Sequence, residues 1–334
     1  MMNKTNLSRR QMLRAGAGLA IAEVVTACQT QPVSRRTLPQ RPPQATTTSV
    51  TPPLAGLREL ANKAKLRWGS AVSGRQFSSA SRAAQMDIYA RDFNLATLHS
   101  NFYWSDWEQE QGKPNPDSLS ELQRQAAALK SVGVTDLRGH PLMFPTLEPA
   151  WLIDGLKQGR IKKAQAIELM KQHIRDLMTP FKGIIREWVV ANEPFRFYGA
   201  DSGDYWKLVI GAEYVEIAFQ TAREVDPQAK LLLNDYDNHA RNGRGTSYAR
   251  DNDPIERNKM LVDQLKAKGL IDGLGLQMHI SVDKPPQPKD MIETMQGYGL
   301  PVHITELDVN LKEIKNVISA LARPMPIAPL GMMT

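Results

Sequence analysis

Two glutamates follow strand-like segments in this chain of 334 residues, and they are its strongest chemical signal. Glu193 lies in Trp-Val-Val-Ala-Asn-Glu-Pro at 188–194, and Glu306 lies in Val-His-Ile-Thr-Glu-Leu-Asp at 302–308. Each follows an apolar, β-branched run typical of a buried parallel strand. Two carboxyl groups in one pocket can hydrolyse a glycosidic bond, because one protonates the leaving oxygen while the other attacks the sugar or activates water.

The elements that would position these glutamates alternate regularly from Leu54 onward. Apolar runs predict seven strands, at 66–72, 93–98, 134–138, 185–191, 231–234, 274–278 and 302–305. Amphipathic stretches predict helices between and after them, at 118–132, 162–178, 205–225, 255–268, 288–298 and 311–322. Gly133, Gly269 and Gly299 each follow such a helix, as a left-handed cap requires.

This alternation predicts an α/β fold, a (β/α)8 TIM-type barrel, in which the carboxyl ends of all strands open onto one face. An open doubly wound sheet is the alternative. No Gly-x-Gly-x-x-Gly turn follows the first strand, which removes the usual reason to prefer that alternative.

Five motifs at the ends of predicted strands resemble those of family 10 glycoside hydrolases, the endo-1,4-β-xylanases. They are Arg138-Gly139-His140-Pro141-Leu142, 188–194, Asn234-Asp235-Tyr236, Gly275-Leu276-Gln277-Met278-His279 and Ile304-Thr305-Glu306-Leu307-Asp308. Their order and spacing follow the family from about residue 60 to about residue 310.

The resemblance implies a retaining endo-glycosidase that hydrolyses internal β-1,4-xylosidic bonds of xylan or a related polysaccharide, with no cofactor and no metal. Glu193 would be the general acid/base and Glu306 the nucleophile, with carboxyl groups about 5–5.5 Å apart. Glu193 must hold its proton at the start of the cycle, whereas Glu306 must stay ionised.

The resemblance also implies substrate-binding residues around the two glutamates. His140 would bind the sugar beside the cleaved bond, and Asn192 would form a hydrogen bond with the hydroxyl next to the reacting carbon. Gln277 and His279 would supply polar donors that favour the ionised form of Glu306. Each role has a structural alternative, because a strand-terminal glutamate or a histidine before a proline can be satisfied within the fold.

The chain departs from the family after the second strand. His99-Ser100-Asn101-Phe102-Tyr103-Trp104 stands where members have Glu-Asn-x-Met-Lys-Trp, so the Glu, Asn and Lys that hold the distal xylose are absent. Phe144 and Pro145 replace a Trp and a His on the third strand. Trp104 is a candidate for stacking on a sugar face, and a structural aromatic cluster is the alternative.

These departures leave two other functions open. One is a retaining glycosidase of the same barrel superfamily that acts on β-glucan or mannan. The other is a catalytically impaired glycan-binding protein. A metal site formed by His279, His303, Glu306 and Asp308 is not expected. His303 and Glu306 are three positions apart in a strand, so their side chains face opposite sides of it.

Residues 1–28 resemble a twin-arginine signal with a lipobox. Ser8-Arg9-Arg10-Gln11-Met12-Leu13 precedes a weakly apolar stretch that ends in Val25-Thr26-Ala27-Cys28, and Cys28 is the single cysteine. We therefore expect export by the twin-arginine route and a periplasmic or cell-surface protein, anchored to the membrane by a lipid on Cys28. An idle thiol is the alternative reading of that cysteine.

Residues 29–53 form a Pro/Thr-rich linker without apolar periodicity, which predicts an extended tether. Of the net charge of +7, three charges come from residues 1–27 and three from the linker. The remainder is nearly neutral, so no nucleic-acid partner is expected. The polysaccharide substrate and the membrane are the expected partners, and we expect a monomer.

Residues 54–334 would form the glycoside hydrolase barrel. Only 28 residues follow Glu306, and the Pro- and Met-rich tail after 322 lacks strand character. We therefore expect a barrel whose eighth strand and helix are missing, or whose gap another element closes. Without such an element the first and seventh strands would leave unpaired backbone edges.

Overall fold

The structure, a computed structural model, describes residues 56–72, 82–195, 204–242, 253–282 and 284–310. All of these belong to the unit Leu54–Thr334. The predicted signal at 1–28, the linker at 29–53 and the predicted helix at 311–322 lie outside the described residues. In the part that is described, no helix is both long and apolar enough to cross a bilayer.

Strands and helices alternate along the described ranges. The strands are β1 Gly69–Val72, β2 Leu95–Leu98, β3 Asp136–Gly139, β4 Glu187–Asn192, β5 Lys230–Asp235, β6 Gly273–Leu276, β7 His279–Ser281, β8 Val302–Ile304 and β9 Asp308–Asn310. The helices are α1 Leu57–Lys63, α2 Arg82–Asp92, α3 Trp104–Trp107, α4 Pro116–Ser131, α5 Ala150–Lys157, α6 Lys163–Met178, α7 Tyr205–Val209, α8 Tyr214–Val225, α9 Pro254–Ala267 and α10 Pro288–Gly297. Short 3-10 turns cover Ser100–Phe102 and Thr179–Phe181.

Seven of the strands form one parallel sheet in the order β1-β2-β3-β4-β5-β6-β8. Every neighbouring pair in that order is parallel, so all seven strands end at the same edge. The strands β7 and β9 follow β6 and β8 and form a parallel pair of their own. The seven predicted strands are confirmed to within three residues at each end.

A charged cluster inside the sheet shows that the sheet is curled. Arg67, two residues before β1, places Nη1 2.7 Å from Glu187 Oε2 and 3.4 Å from His303 Nδ1. Glu187 belongs to the central strand β4, and His303 belongs to β8, the strand at the far end of the sheet. Neighbouring strands are about 4.8 Å apart, so a flat sheet would separate β1 from β8 by about 29 Å. The two ends of the sheet therefore face one interior, which confirms the (β/α) barrel architecture.

Glycines follow the carboxyl ends of helices largely as predicted. Gly133, Gly269 and Gly299 have φ values of 78°, 66° and 64°, which confirms the left-handed caps. The single helix predicted at 205–225 is wrong, because the chain leaves α7 and turns at Gly211, with φ of 108°, before α8 begins. The expected absence of an eighth strand and helix concerns residues beyond 310 and stays a prediction.

Aromatic packing holds the turn after β2 against the central strand. The ring of Phe102 is fully buried and meets Trp188 of β4 edge-on, with ring centroids 5.1 Å apart. Phe102 also meets Phe181 edge-on at 5.5 Å. Gly139 leaves room for the indole, since a Cβ there would lie 2.3 Å from the ring of Trp188. The carboxyl ends of β2, β3 and β4 are therefore packed together on the face that carries Glu193.

Candidate active site

Glu193 and Glu306 both lie at the carboxyl edge of the sheet, as predicted. Glu193 directly follows β4, is 7% exposed, and has φ of 49°, which is unusual for a residue with a side chain. Its backbone N–H donates to Asn234 O at 2.9 Å, so the strained residue is held by the end of β5. Glu306 follows β8, and its side chain is 32% exposed.

Three buried amide side chains connect the two carboxyl groups. Gln277 Nε2 donates to Glu193 Oε1 at 3.0 Å, and Asn234 Nδ2 donates to Glu306 Oε1 at 2.7 Å. Asn192 Oδ1 accepts from both amides, at 2.7 Å from Asn234 Nδ2 and 3.4 Å from Gln277 Nε2. The chain of hydrogen bonds from Glu193 to Glu306 is therefore continuous, and both carboxyl groups belong to one site.

Gln277 contacts a different glutamate from the one predicted. We expected it to donate to Glu306, but its amide donates to Glu193 and its Oε1 lies 3.0 Å from His279 Nε2. The backbone N–H of Gln277 donates to Asp235 O at 3.0 Å, at the end of β5.

His279 connects to Glu306 from the other side. Its Nε2 lies 3.6 Å from Glu306 Oε2, and its Nδ1 lies 2.9 Å from Asp308 Oδ2. At 3.6 Å the contact with Glu306 is an ion pair rather than a full hydrogen bond. The interaction with Glu306 is the largest cause that raises the pKa of His279, to about 9, despite partial burial. The imidazole is therefore a cation at neutral pH.

The surroundings of Glu306 favour its ionised form. Burial by itself would raise the pKa of this carboxyl, but the ion pair with His279 and the amide of Asn234 lower it below its usual value. Hydrogen bonds and nearby positive charge favour a carboxylate in this way. Glu306 thus has the charge that a nucleophile needs.

His140 lies beside Glu306. Its Nε2 is 4.0 Å from Glu306 Oε1, and its backbone N–H donates to Leu98 O at 2.9 Å. Burial lowers the pKa of His140 to about 4, although the charge of Glu306 opposes this. A neutral imidazole at this position is available to hydrogen-bond a sugar hydroxyl.

The structure favours the aromatic-cluster alternative for Trp104. Its side chain is 5% exposed, and its ring stacks on His173 with centroids 3.8 Å apart and planes 1° apart. Trp206 is also stacked nearby, at 5.6 Å. The indole N–H donates to Glu108 Oε2 at 3.0 Å. Trp104 therefore packs mainly within the aromatic core, although it also borders a small cleft beside Tyr103.

Asn234 and Asp308 are functional-site residues that the sequence pattern left in the background. Asn234 was assigned a supporting role within Asn234-Asp235-Tyr236, yet its amide contacts Glu306 directly. Thr305 Oγ1 donates to Asn234 Oδ1 at 2.6 Å and fixes the orientation of that amide. The sequence signal that could have identified both residues was their position at strand ends.

His303 is separate from the catalytic pair. Its Nδ1 lies 3.6 Å from Glu187 Oε2 inside the barrel, whereas Glu306 contacts Asn234 and His279 at the carboxyl edge. Within the described residues, no cluster of three or more His, Cys, Asp or Glu side chains has the arrangement to hold a metal ion.

The arrangement provides two carboxyl groups in different environments. One, Glu193, is buried and receives a hydrogen bond from a neutral amide. The other, Glu306, is ionised and lies beside a cationic imidazole. Pairs of carboxyl groups with different surroundings are the equipment for splitting acid and nucleophile roles in glycoside hydrolysis.

Comparisons with known proteins point to one family. The profile of glycosyl hydrolase family 10 matches residues 56–325. An endo-1,4-beta-xylanase A of Phanerodontia chrysosporium is 30% identical over 254 residues, which are 75% of this chain and 57% of that protein. An endo-1,4-beta-xylanase A of Caldicellulosiruptor saccharolyticus is 28% identical over 263 residues, 77% of this chain and 72% of that protein.

A solved structure agrees with these sequence relatives. Native xylanase 10B from Thermotoga maritima superposes with a TM-score of 0.63 at 28% identity, covering 76% of this chain and 74% of that one. The chain spans somewhat more than half the length of the Phanerodontia chrysosporium relative. Because the profile covers most of the chain and the fold and site agree with it, the chain belongs to glycosyl hydrolase family 10.

Proposed function

We propose that this protein is a retaining endo-1,4-β-xylanase that cleaves internal bonds of xylan or a related polysaccharide. The observation that carries the proposal is the hydrogen-bonded path from Glu193 through Gln277, Asn192 and Asn234 to Glu306. It places one buried and one ionised carboxyl group in a single site at the edge where barrel enzymes carry out their chemistry. The endo-1,4-beta-xylanases among its relatives support the choice of substrate.

Glu306 is the nucleophile in this proposal. One of its carboxylate oxygens attacks the anomeric carbon, while the bond to the leaving oxygen breaks and that oxygen takes the proton of Glu193. Water then attacks the glycosyl-enzyme, gives its proton to Glu193, and releases Glu306. For this sequence we expect the two carboxyl groups to be about 5–5.5 Å apart.

The neighbouring side chains have supporting roles in the same scheme. His279 and the amide of Asn234 keep Glu306 ionised in the resting enzyme. Gln277 orients Glu193 through its amide. Neutral His140, 4.0 Å from Glu306, is placed to bind a hydroxyl of the sugar under attack.

Reducing-sugar release from xylan, mixed-linkage glucan and mannan tests the proposal. We expect turnover on xylan by the wild type and at least a 10³-fold loss for Glu306→Gln and for Glu193→Gln, since each role is essential to a double displacement. Product anomers followed by NMR at early times should retain the β configuration.

Azide distinguishes the two glutamates. With an activated aryl glycoside, azide should restore turnover of Glu193→Ala by attacking the glycosyl-enzyme and giving a β-glycosyl azide, because that step no longer needs a base. Glu306→Ala should instead give the α-azide. If Glu193→Ala gave the α-azide and Glu306→Ala gave the β-azide, the roles of the two glutamates would be reversed. Glycan binding without any turnover in the wild type would favour the glycan-binding alternative, and faster release from glucan or mannan would favour the other glycosidase.

We also propose export by the twin-arginine route and a lipid anchor on Cys28, with the protein in the periplasm or on the cell surface. The support is the order of Arg9-Arg10, the apolar stretch and the Ala27-Cys28 pair within residues that the structure does not describe. Cys28→Ala should move the protein from the membrane fraction to the soluble fraction. Unchanged fractionation would contradict lipidation, and Arg9→Lys with Arg10→Lys should block export.

A further inference from the structure

Thr305 directly follows β8, and its side chain contacts the amide that binds Glu306. Its Oγ1 donates to Asn234 Oδ1 at 2.6 Å, and its backbone N–H donates to Leu276 O at 3.0 Å. The residue is half-buried, and the backbone hydrogen bond holds it against β6. The hydroxyl therefore acts on the oxygen end of Asn234, while the nitrogen end of that amide faces Glu306.

The two ends of the Asn234 amide have partners of opposite character. The residue is 0% exposed, so each polar atom of its side chain needs a partner within the protein. Its Nδ2 donates to Glu306 Oε1 and to Asn192 Oδ1, each at 2.7 Å. Its Oδ1 accepts from Thr305. Without this hydroxyl, the oxygen would be a buried acceptor that has lost its donor, which is unfavourable.

Gly275 of β6 leaves the space in which this amide lies. Asn234 and Gly275 stand opposite each other in the parallel register of β5 and β6. A Cβ added at Gly275 would lie 2.2 Å from Asn234 Oδ1 and 2.9 Å from the methyl carbon of Thr305. The amide oxygen is therefore confined between the backbone of β6 and the hydroxyl that follows β8.

The other amide that binds a carboxyl group is held in the same manner. Gln277 donates from Nε2 to Glu193, and its Oε1 lies 3.0 Å from Nε2 of the cationic His279. In each amide, the oxygen meets a donor and the nitrogen meets a carboxyl group. Hydrogen bonds in such a chain polarise one another, so a donor at the oxygen strengthens the N–H that faces the carboxyl group. Thr305 thus supports the amide that binds Glu306, as His279 supports the amide that binds Glu193.

We propose that Thr305 is a positioning residue, whose hydroxyl anchors the amide oxygen of Asn234 and thereby keeps the amide nitrogen on Glu306. This inference rests on the proposed hydrolase function and extends it to a side chain that acts through Asn234. Loss of the hydroxyl leaves the amide oxygen unpaired, so the amide binds the carboxylate less strongly or turns toward water. Either change weakens a contact that favours the ionised nucleophile.

Two substitutions separate the hydroxyl of Thr305 from its methyl group. Thr305→Val keeps the shape of the side chain and removes the hydroxyl, whereas Thr305→Ser keeps the hydroxyl and removes the methyl group. On unsubstituted xylohexaose, Thr305→Val should lower kcat about tenfold, with KM changed by less than about twofold. The acid limb of kcat/KM should move to higher pH, because the ionised form of Glu306 is less strongly favoured. Thr305→Ser should retain the acid limb of the wild type and a kcat within about threefold of it.

Thr221→Val is the matched control. The hydroxyl of this buried threonine donates to Ile217 O at 2.7 Å within α8, so its removal should leave kcat and the acid limb unchanged. An active wild type whose kcat and acid limb are unchanged in Thr305→Val overturns this inference and leaves the proposed function standing. An equal loss of kcat in Thr305→Ser and Thr305→Val, with the pH dependence of the wild type in both, indicates a packing role and also overturns it. A wild type that cleaves no glycan overturns both the proposed function and this inference.

Discussion

His279 and Asp308 stand opposite each other in the register of the parallel strands β7 and β9. Their side chains meet there, with Nδ1 and Oδ2 2.9 Å apart. Since Nε2 of the same ring lies 3.6 Å from Glu306 Oε2, one imidazole is held between two carboxylates. Strand pairing beyond the end of the main sheet therefore places a cation beside the proposed nucleophile.

Asp308→Asn should weaken this arrangement. The raised pKa of His279, about 9, depends on Glu306 first and also on Asp308, so the variant should have a lower value. NMR titration of the ring measures this directly, and the alkaline limb of kcat/KM should move to lower pH with it. An unchanged His279 titration would show that Asp308 has no electrostatic effect.

The same shift has a consequence for stability. A histidine whose pKa is raised by folding, here from 6.5 to about 9, stabilises the protein fully below pH 6.5 and loses that contribution as the pH rises through 9. The Tm of the wild type should therefore fall between pH 6.5 and 9 more than that of His279→Asn. Parallel Tm curves for the two proteins would contradict this.

Asn234→Ala should reduce catalysis strongly. The variant removes a hydrogen bond to a charged carboxylate, which is worth about 1.5–3 kcal/mol, so kcat/KM should fall roughly 10- to 150-fold. The pKa of Glu306 should rise because a donor is lost, and the acid limb of the pH profile should move to higher pH. Asn94→Ala, in a loop before β2, is the control, and an equal loss there would indicate a general folding defect.

Glu187→Gln should destabilise the barrel without touching the catalytic edge. Its carboxyl is buried, pairs with Arg138 Nε at 2.5 Å, and meets Arg67 and His303 from the two ends of the sheet. Breaking a buried pair leaves uncompensated charge and costs about 3–5 kcal/mol of unfolding free energy. Urea denaturation measures the loss.

The matched control for that variant is an exposed ion pair. Glu59 lies 2.7 Å from Lys63 on the surface of α1, and Glu59→Gln should change the unfolding free energy by about 1 kcal/mol or less. Similar losses in both variants would show that the interior cluster does not hold the curled sheet together.

Trp104→Phe tests the correction to the predicted substrate contacts. Replacing a stacked, buried indole by a smaller ring should lower the unfolding free energy by about 1–3 kcal/mol. The KM for xylan should change less than twofold at temperatures well below the new Tm. A raised KM with an unchanged Tm would instead return Trp104 to the binding site.

The strands and most helices were predictable because their signals are local. The apolar run at 188–191 lies in β4, whose six residues are all buried, and the glycines that end α4, α9 and α10 need no long-range information. The break at Gly211 was missed because the apolar pattern continues across it. A Cβ added at Gly211 would lie 2.2 Å from the carboxylate of Glu213, and sequence spacing does not reveal this clash.

The residues of the site were predictable from the sequence, but the contacts between them were not. Residue type and position at a strand end were sufficient to select Glu193 and Glu306, whereas His140, Asn192, Gln277 and His279 were selected through the resemblance of their motifs to the family. The sequence could not show which amide contacts which carboxyl group. Asn234 and Glu306 are 72 positions apart in the chain, and Gln277 and Glu193 are 84 positions apart. The role of Trp104 stayed open between a sugar contact and a core residue, because an aromatic side chain has the same sequence signal whether it lines a cleft or fills a core.

The sequence by itself determined that two glutamates end parallel strands and that polar side chains end the strands between them, because strand periodicity and motif order are properties of neighbouring residues. Only the tertiary structure decided that Asn234 donates to Glu306, that Gln277 donates to Glu193, and that β7 and β9 bring Asp308 to His279. Curling of the sheet sets these contacts, and curling depends on packing among all strands at once.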